Sequence, residues 1–399
     1  MDLAVKDLQR SAGKFLATTL GVGLLLAIVF IMNGIYRGNI ADGVWIINHT
    51  PADLWVVERD RGGPFNESSV LPQDLYHSVA AVPGVARADP FITYTVQREA
   101  GGKSQQFTIV GYDVFGGAGG PARLVAGRGI RQAHYEMVAD RKLGLRIGQT
   151  VHLGLDDYTI VGLVAGAVDS GGNPLVYLSL PDAQNVQFQQ DAQAIYRARA
   201  ADLQLLEANG NTPAQAEKLL PLLAAGTQTA NVNAVLVRLA PGADAQAVVQ
   251  HIQRWLYLNV YTSAEERQLM LAGRLSMMTK ILGLFRSLLV IVSIVIIGLI
   301  VYVLTMEKIR SIATLKLIGA PDLMIVRLIM EQSLALTMLG FILGYALVIA
   351  TKDRFPRTLV LLQSDTAVTF VVMLLGGVVA SLFGIRRALD TSPSVALEG

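Results

Sequence analysis

The stretch TMEKIRSIATLKLIGAPDLMIVRLIMEQSLAL, Thr305 to Leu336, decides the fold, because it is a charged amphipathic segment between two runs apolar enough to be membrane helices. Glu307, Lys308, Arg310, Lys316 and Arg327 give it a basic excess, which by the positive-inside rule assigns it to the cytoplasmic side. With Glu307 to Ile318 helical, Gly319 falls at the left-handed position just past a helix end. Pro321 then falls in the first turn of the next helix and Asp322 near that helix's positive end. Two helices meeting at a tight corner on a membrane face make a shape that a soluble partner can push against. The alternative on the residues alone is an interfacial helix whose basic side chains hold lipid headgroups.

Outward from this stretch, Ser287–Met306 and Gln332–Thr351 are uncharged and close to the roughly twenty apolar residues that cross a bilayer core. Phe15–Tyr36 and Thr366–Ile385 have the same character. The expected fold class is therefore a membrane α-helical protein of four transmembrane helices, 15–36, 287–306, 332–351 and 366–385, with a large extracytoplasmic α+β domain inserted between helices 1 and 2. The amino terminus lies inside in this reading, the domain at 37–264 outside, the coupling segment 307–331 inside, the loop 352–365 outside and the tail 386–399 inside. Arg386 and Arg387 agree with it, whereas Lys352, Arg354 and Arg357 in the outer loop run against the charge asymmetry. The first apolar run exceeds the roughly 7 to 15 residues of a cleavable signal peptide, so it reads as an uncleaved anchor. Before it, residues 1–14 set Leu3, Ala4 and Leu8 among Lys6, Arg10 and Lys14, a pattern for a cytoplasmic amphipathic helix on the inner leaflet.

Composition fits a mixed membrane and soluble architecture: mean hydropathy is +0.45 and only 16% of residues are charged. A net charge of +2 without a dense basic cluster gives nothing in favour of nucleic acid, and the absence of cysteine excludes disulfides and thiolate sites.

Between Trp45 and Thr262 the chain reads as a soluble, strand-rich domain. DLWVVE, FITYTVQRE and QQFTIVGYD alternate β-branched and aromatic residues at period two, and Gln73 to Val82 reads as a helix stopped by Pro83 and Gly84. Short strands between glycine turns from Gly120 to Leu180 suggest a compact β-subdomain, and residues 182–225 a helical insert. NAVLVRL, a helix with Val248 and Ile252 on one face, and NVYTS complete a β-α-β unit that pairs with the strands near Leu54, giving a domain of two lobes. Leu271, Leu275, Met278, Leu282 and Phe285 alternate spacings of four and three, an apolar seam predicting a stalk helix over 265–286. Gly340 with Gly344, and Gly377 with Ser381, form small-residue pairs suited to helix packing.

No catalytic constellation is visible. GGKS at Gly101–Ser104 ends like a phosphate-binding loop, but Gln97 occupies the required earlier glycine position and the flanking strands make it a hairpin turn. His49, His77, His134, His152 and His251 lack metal-ligand spacing, and Asp156 and Asp157 are adjacent on a strand, so no metal or acid-base pair is expected. No charged residue lies inside the four runs, which argues against an ion-coupled transporter.

Glu307, Arg310, Ile312, Ala313, Leu315, Ile318, Gly319 and Ala320 form E-x-x-R-x-I-A-x-L-x-x-I-G-A after a membrane span, which resembles the signature of the ABC transporter permeases of the FtsX/MacB/LolC type. Ser311 stands where that family commonly carries an acidic residue. MDLAVKDLQRSAGKFLATTLGVGLLLA and RRALDTSPSVALEG resemble its two ends, with Pro393, Ala396 and Leu397 in the expected places, and ATLK at Ala313–Lys316 with the long insert resembles the DevC-type subgroup. The resemblance implies a MacB-like periplasmic domain of two lobes and an inner-membrane protein with both termini cytoplasmic. It implies that Glu307, Arg310, Lys316, Gly319 and Ala320 couple to two copies of a separate ATPase subunit, which holds ATP and magnesium while this chain holds no cofactor and catalyses nothing itself. A dimer, a periplasmic adaptor and an outer-membrane channel are the further partners implied, for efflux or lipid export by mechanotransmission. The alternatives are an FtsX-like regulator of a periplasmic hydrolase, a LolC-like lipoprotein extraction subunit and a membrane receptor outside the family.

Overall fold

The structure is a computed structural model of the chain and describes residues 12–389 apart from 66, 101–102, 190–199, 202, 209, 211, 216–217, 220–230 and 356. Two compact units divide the chain, one of residues 42–276 and one combining 1–41 with 277–399. In chain order the elements begin with helices α1 (Ala12–Gly43) and α2 (Trp45–His49), strands β1 (Leu54–Glu58) and β2 (Leu71–Pro72), helix α3 (Leu75–Ala80), and strands β3 (Val85–Ala100) and β4 (Lys103–Tyr112). Next come β5 (Ala126–Gly127), β6 (Glu136–Asp140), β7 (Thr150–Leu153), β8 (Asp156–Val164), β9 (Leu175–Ser179) and α4 (Leu180–Gln189). The chain continues through β10 (Asn231–Val232), β11 (Ala234–Leu239), α5 (Ala245–Gln253), β12 (Leu258–Thr262) and α6 (Ser263–Ala272). It ends with α7 (Ser276–Glu307), α8 (Ile309–Leu317), α9 (Asp322–Thr351) and α10 (Gln363–Leu389).

In the sheet unit, strand order is β12-β1-β11-β3-β4-β9-β6-β8-β5, with β7 on β8. β1 lies between β11 and β12, so the β-α-β unit near the end of the domain does pair with the strands near Leu54. The glycine-rich segment from Gly120 to Leu180 does not form a separate sheet. The ten-residue β4 pairs with β3 along one edge and leaves the other free over its second half, where β9 adds in parallel from Thr108↔Leu175 to Tyr112↔Ser179. One hydrogen-bonded path thus runs through what the sequence reading divided into two lobes. Strand alternation buries both faces. Leu54, Val56, Ile92, Ile109 and Val176 meet α3, α4 and α5 on one side, and Trp55, Phe91, Val110, Tyr177 and Leu236 meet α2 and α6 on the other. The hairpin at GGKS is closed by the pair Ala100↔Lys103, with Gly101 and Gly102 outside the described residues. Of the helical insert, α4 and the described residues 200–201, 203–208, 213–215 and 218–219 are helical.

In the helical unit, α1, α7 and α9 are long and apolar enough to cross a membrane, while α10 holds a shorter apolar stretch at Gln363–Val379. Its core brings together Val22, Leu26 and Phe30 of α1, Ile297 and Val301 of α7, Ile329, Leu336 and Val348 of α9, and Met373 of α10. The helices run past their uncharged segments: α1 continues to Gly43 and α9 begins at Asp322, because backbone hydrogen bonding does not stop where apolar sequence does. The helix expected over residues 1–14 and the tail 386–399 fall largely outside the described residues.

The predicted continuous stalk helix over 265–286 is broken. α6 starts on a capping box between Thr262 and Glu265 and stops at Gly273, and α7 starts at Ser276. Leu275 in the turn is buried against Gly43, so the 4-3 seam is divided: Leu271 lies on α6, whereas Met278, Leu282 and Phe285 lie on α7.

Candidate functional site

The corner singled out in the sequence is built by α8, a turn and the start of α9. α8 leaves α7 at Lys308, so it begins at Ile309 and not at Glu307. Ile312 and Ala313 are buried and fasten one face of α8 to the bundle. Gly319 takes φ +90°, and its N–H donates to Lys316 O at 3.0 Å while Ala320 N–H donates to Leu315 O at 3.0 Å. These two bonds are the Schellman pair that closes a helix on a left-handed residue. A methyl at Gly319 meets nothing within 4 Å, so glycine is needed there for its backbone and not for room. Pro321 caps α9 from just outside, with φ −67° and ψ 146°, one position before the first turn in which it was expected.

Ile318 is 79% exposed and Leu323 is 77% exposed on either side of this turn, with Leu317 also exposed. Of the charges expected to face a partner, Arg310 is exposed and Glu307 pairs with Lys14 at 3.1 Å between two exposed side chains. Lys316 differs. Its side chain is only 13% exposed, donates to Leu389 O at 2.6 Å and lies 3.8 Å from Asp322. Its ammonium therefore neutralises the negative end of α10, pinning the corner to the last helix from within. The sequence showed the cation but not that an orphan carbonyl 73 residues later would take it.

The small-residue pairs are occupied within the chain. A methyl at Gly344 would lie 2.7 Å from Gly23 O and 3.0 Å from Ala27 N, and one at Gly340 would lie 2.6 Å from Val22 Cγ1. α1 and α9 thus cross at backbone contact. Ser333 Oγ donates to Gly377 O at 3.0 Å, and buried Ser381 lies 3.6 Å from Met330 Sδ, joining α10 to α9.

Three further features were not read from the sequence. Arg37 on α1 forms a two-pronged ion pair with Asp365 at the start of α10. Arg128 grips the Glu136 carboxylate in the same way, and the backbone N–H groups of Arg131 and Gln132 add to it; the Arg128 bond and these donors hold Glu136 down to about 2. Glu266 on α6 is fully buried with neither carboxyl oxygen hydrogen bonded, and burial pushes it up to about 8. Glu266 follows the capping-box Glu265 directly, so the box was a legible sign of where α6 begins but not of which glutamate turns inward. Among the described residues no group of three His, Asp or Glu gathers as a metal site.

A bundle of long apolar helices with a large sheet unit inserted between the first two of them is the architecture of the chain. The MacB-like periplasmic core domain matches residues 13–255, and the FtsX-like permease C-terminal domain matches residues 283–393. The chain belongs to the FtsX/MacB-type family of ABC transporter permeases. It is 23% identical over 399 residues to an uncharacterised ABC transporter permease of Mycobacterium tuberculosis, covering 99% of each chain. It is 24% identical over 400 residues to another of Mycobacterium bovis, again covering 99% of each. Among solved structures, the periplasmic region of MacB from Actinobacillus actinomycetemcomitans aligns with 56% of this chain and 94% of its own, at 11% identity and a TM-score of 0.33. The extracellular domain of the transporter YknZ from Gram-positive bacteria aligns with 53% and 99%, at 9% identity and a TM-score of 0.30. Family membership rests on the two domain matches and not on these superpositions.

Proposed function

We propose that this chain is the membrane subunit through which a separate cytoplasmic ATPase moves an extracytoplasmic domain. The supporting observation is the corner itself: exposed Leu317, Ile318 and Leu323 around a turn that Gly319 fixes and that Lys316 ties to α10. An interfacial anchor also buries apolar side chains in the bilayer, so what favours a protein groove is the fixed shape: a fluid lipid surface makes no demand on a turn held by Gly319 and Lys316, whereas a groove does. In this reading α10 is a fourth span, both termini and the corner are cytoplasmic, and the sheet unit lies on the far side of an inner membrane. Two copies of the chain bind two ATPase subunits, with a periplasmic adaptor and an outer-membrane channel as further partners for efflux or lipid export. ATP and magnesium belong to the partner subunit, and this chain catalyses no reaction of its own.

The test is Gly319→Val together with Glu307→Lys in the full chain, assayed for ATPase copurification and for stimulated ATP hydrolysis. Gly319→Val puts a β-branched residue at a left-handed position, costing about 1–2 kcal/mol locally, while Glu307→Lys reverses a charge at the rim. Both variants are expected to insert normally and to lose partner binding or stimulation. Full partner binding and turnover in folded variants would return the corner to the headgroup-anchor reading. Reporters fused after Asp60 and Leu205 should read extracytoplasmic and those after Gly319 and Gly399 cytoplasmic; a cytoplasmic signal at Leu205 overturns the topology. Copurification of a cell-wall hydrolase instead of an adaptor would replace export by regulation.

A further inference from the structure

A groove of about 470 Å³ opens in the helical unit between α1, α7 and α10. Its walls are Val29, Val290, Ile291, Val368 and Val372, and its rim carries Tyr36 and Arg286. Tyr36 stands two turns above Val29 on α1, so at 1.5 Å per residue the groove runs about 10 Å down the helices from the rim. Ile291 is 59% exposed and Val368 is 54% exposed, which leaves the groove open sideways.

The polar groups at the rim do not all face it. Ser287 Oγ donates to Gly283 O at 3.0 Å and Thr369 Oγ1 donates to Asp365 O at 2.7 Å, so both hydroxyl hydrogens are spent on their own helices. The Asp365 carboxylate is taken at both oxygens by the Arg37 fork. Arg286 lies with its guanidinium carbon 5.7 Å over the Tyr36 ring, near enough to influence Asp365 but not among that carboxylate's hydrogen-bond donors. Arg37 and Asp365 beside the rim balance each other, and among the residues lining the groove the charge is that of Arg286. The ring beneath it orients the guanidinium without neutralising it.

We propose that this groove binds an anionic phospholipid of the surrounding bilayer, its phosphate on Arg286 and one acyl chain along Val29, Val290, Ile291, Val368 and Val372. A guanidinium offers a forked donor matched to phosphate, and a sideways-open apolar slot below it accepts a chain without removing it from the bilayer. The site lies at the ends of α1 and α7 from which the chain leaves for the sheet unit, so the lipid comes from the leaflet on that side. The assignment rests on α1, α7 and α10 crossing the membrane and is independent of coupling to an ATPase.

The test is native mass spectrometry of the detergent-purified full chain carrying phosphatidylglycerol or phosphatidylcholine with matched acyl chains. The wild type should retain phosphatidylglycerol in preference, and Arg286→Gln should reduce that preference roughly tenfold, the scale of one charge-assisted hydrogen bond, while Arg286→Lys keeps part of it. Val372→Trp, which fills the slot, should reduce retention of both lipids. A phosphatidylglycerol with a photoreactive acyl chain, used on the wild type, should label peptides containing Val290–Ile291 and Val368–Val372. Equal retention of the two lipids by the wild type, an unchanged preference in Arg286→Gln, or labelling confined to other helices would each overturn the proposal. Efficient disulfide crosslinking between copies through Ile291→Cys would also do so, by giving the groove to a second chain.

Discussion

Replacing Glu266 by glutamine should stabilise the sheet unit, and the gain should grow with pH. The carboxyl is fully buried without a hydrogen-bond partner and takes its proton near 8, against an ordinary value of 4.5. The folded chain therefore binds more protons than the unfolded chain between these limits, and stability falls as pH rises through that window. At 1.36 kcal/mol per pH unit across the window, the loss from pH 4.5 to pH 7 is about 3 kcal/mol, and it reaches about 4 kcal/mol by pH 8, where the group is half protonated. Glutamine has the same shape and no charge to bury. Glu266→Gln should thus match the wild type near pH 4.5 and exceed it by about 3 kcal/mol at pH 7. Thermal unfolding followed by tryptophan fluorescence suits the question, because the chain's three tryptophans, Trp45, Trp55 and Trp255, all lie in the sheet unit. Trp55 also donates its indole N–H to Ser263 at the start of α6, the helix that carries Glu266. Parallel melting curves for the two proteins from pH 5 to 8 would refute the buried-proton account.

Other expectations concern acid, packing and capping. Glu136 is held down to about 2, so its contribution is complete above 4.5 and is lost as pH falls toward 2; Arg128→Gln should flatten that acid limb in the same fluorescence assay, and an unchanged limb would refute it. Gly344→Leu would drive a side chain into Gly23 O and Ala27 N of α1, an overpacking cost of about 1–3 kcal/mol or more, read as a lower melting temperature in detergent. Gly344→Ala already sets a methyl against those backbone atoms and should also lower the melting temperature; a neutral Gly344→Ala would refute the backbone contact. Lys316→Gln frees the Leu389 carbonyl and should speed hydrogen exchange in the last turn of α10, leaving α1 unchanged; no local change would mean that the contact is idle.

Much of the fold was legible in the sequence because it depends on local signals. Period-two alternation gave β1, β3 and β4, uncharged runs gave the bundle helices, and the Gly319 and Pro321 spacing gave the corner to within one or two residues. Features set by distant partners were not legible. The parallel seam of β4 with β9 needs an edge left free 67 residues earlier, and nothing in LVYLSL says that it will be filled. The stalk reading failed because a 4-3 seam continues through Gly273 on paper, whereas Leu275 finds a better place against Gly43, more than 200 residues upstream. At the candidate site, residue types identified the corner, but only coordinates separate exposed Arg310 from Lys316, whose ammonium is already used.

The way the chain enters and leaves the sheet has a mechanical consequence. Entry is at Leu54 of β1 and exit at Thr262 of β12, and these two residues are direct partners at one end of an antiparallel ladder. Forces that draw the two connections the same way put no separating load on that ladder and carry the strand pair as one body. Forces that part them act on the Leu54↔Thr262 rung first and then on the next, as in opening a zipper, which takes far less force than shearing the same bonds at once. The sheet is therefore weakest against a pull that parts its two connections, and β12, the edge strand, is the mechanical fuse that would peel away first.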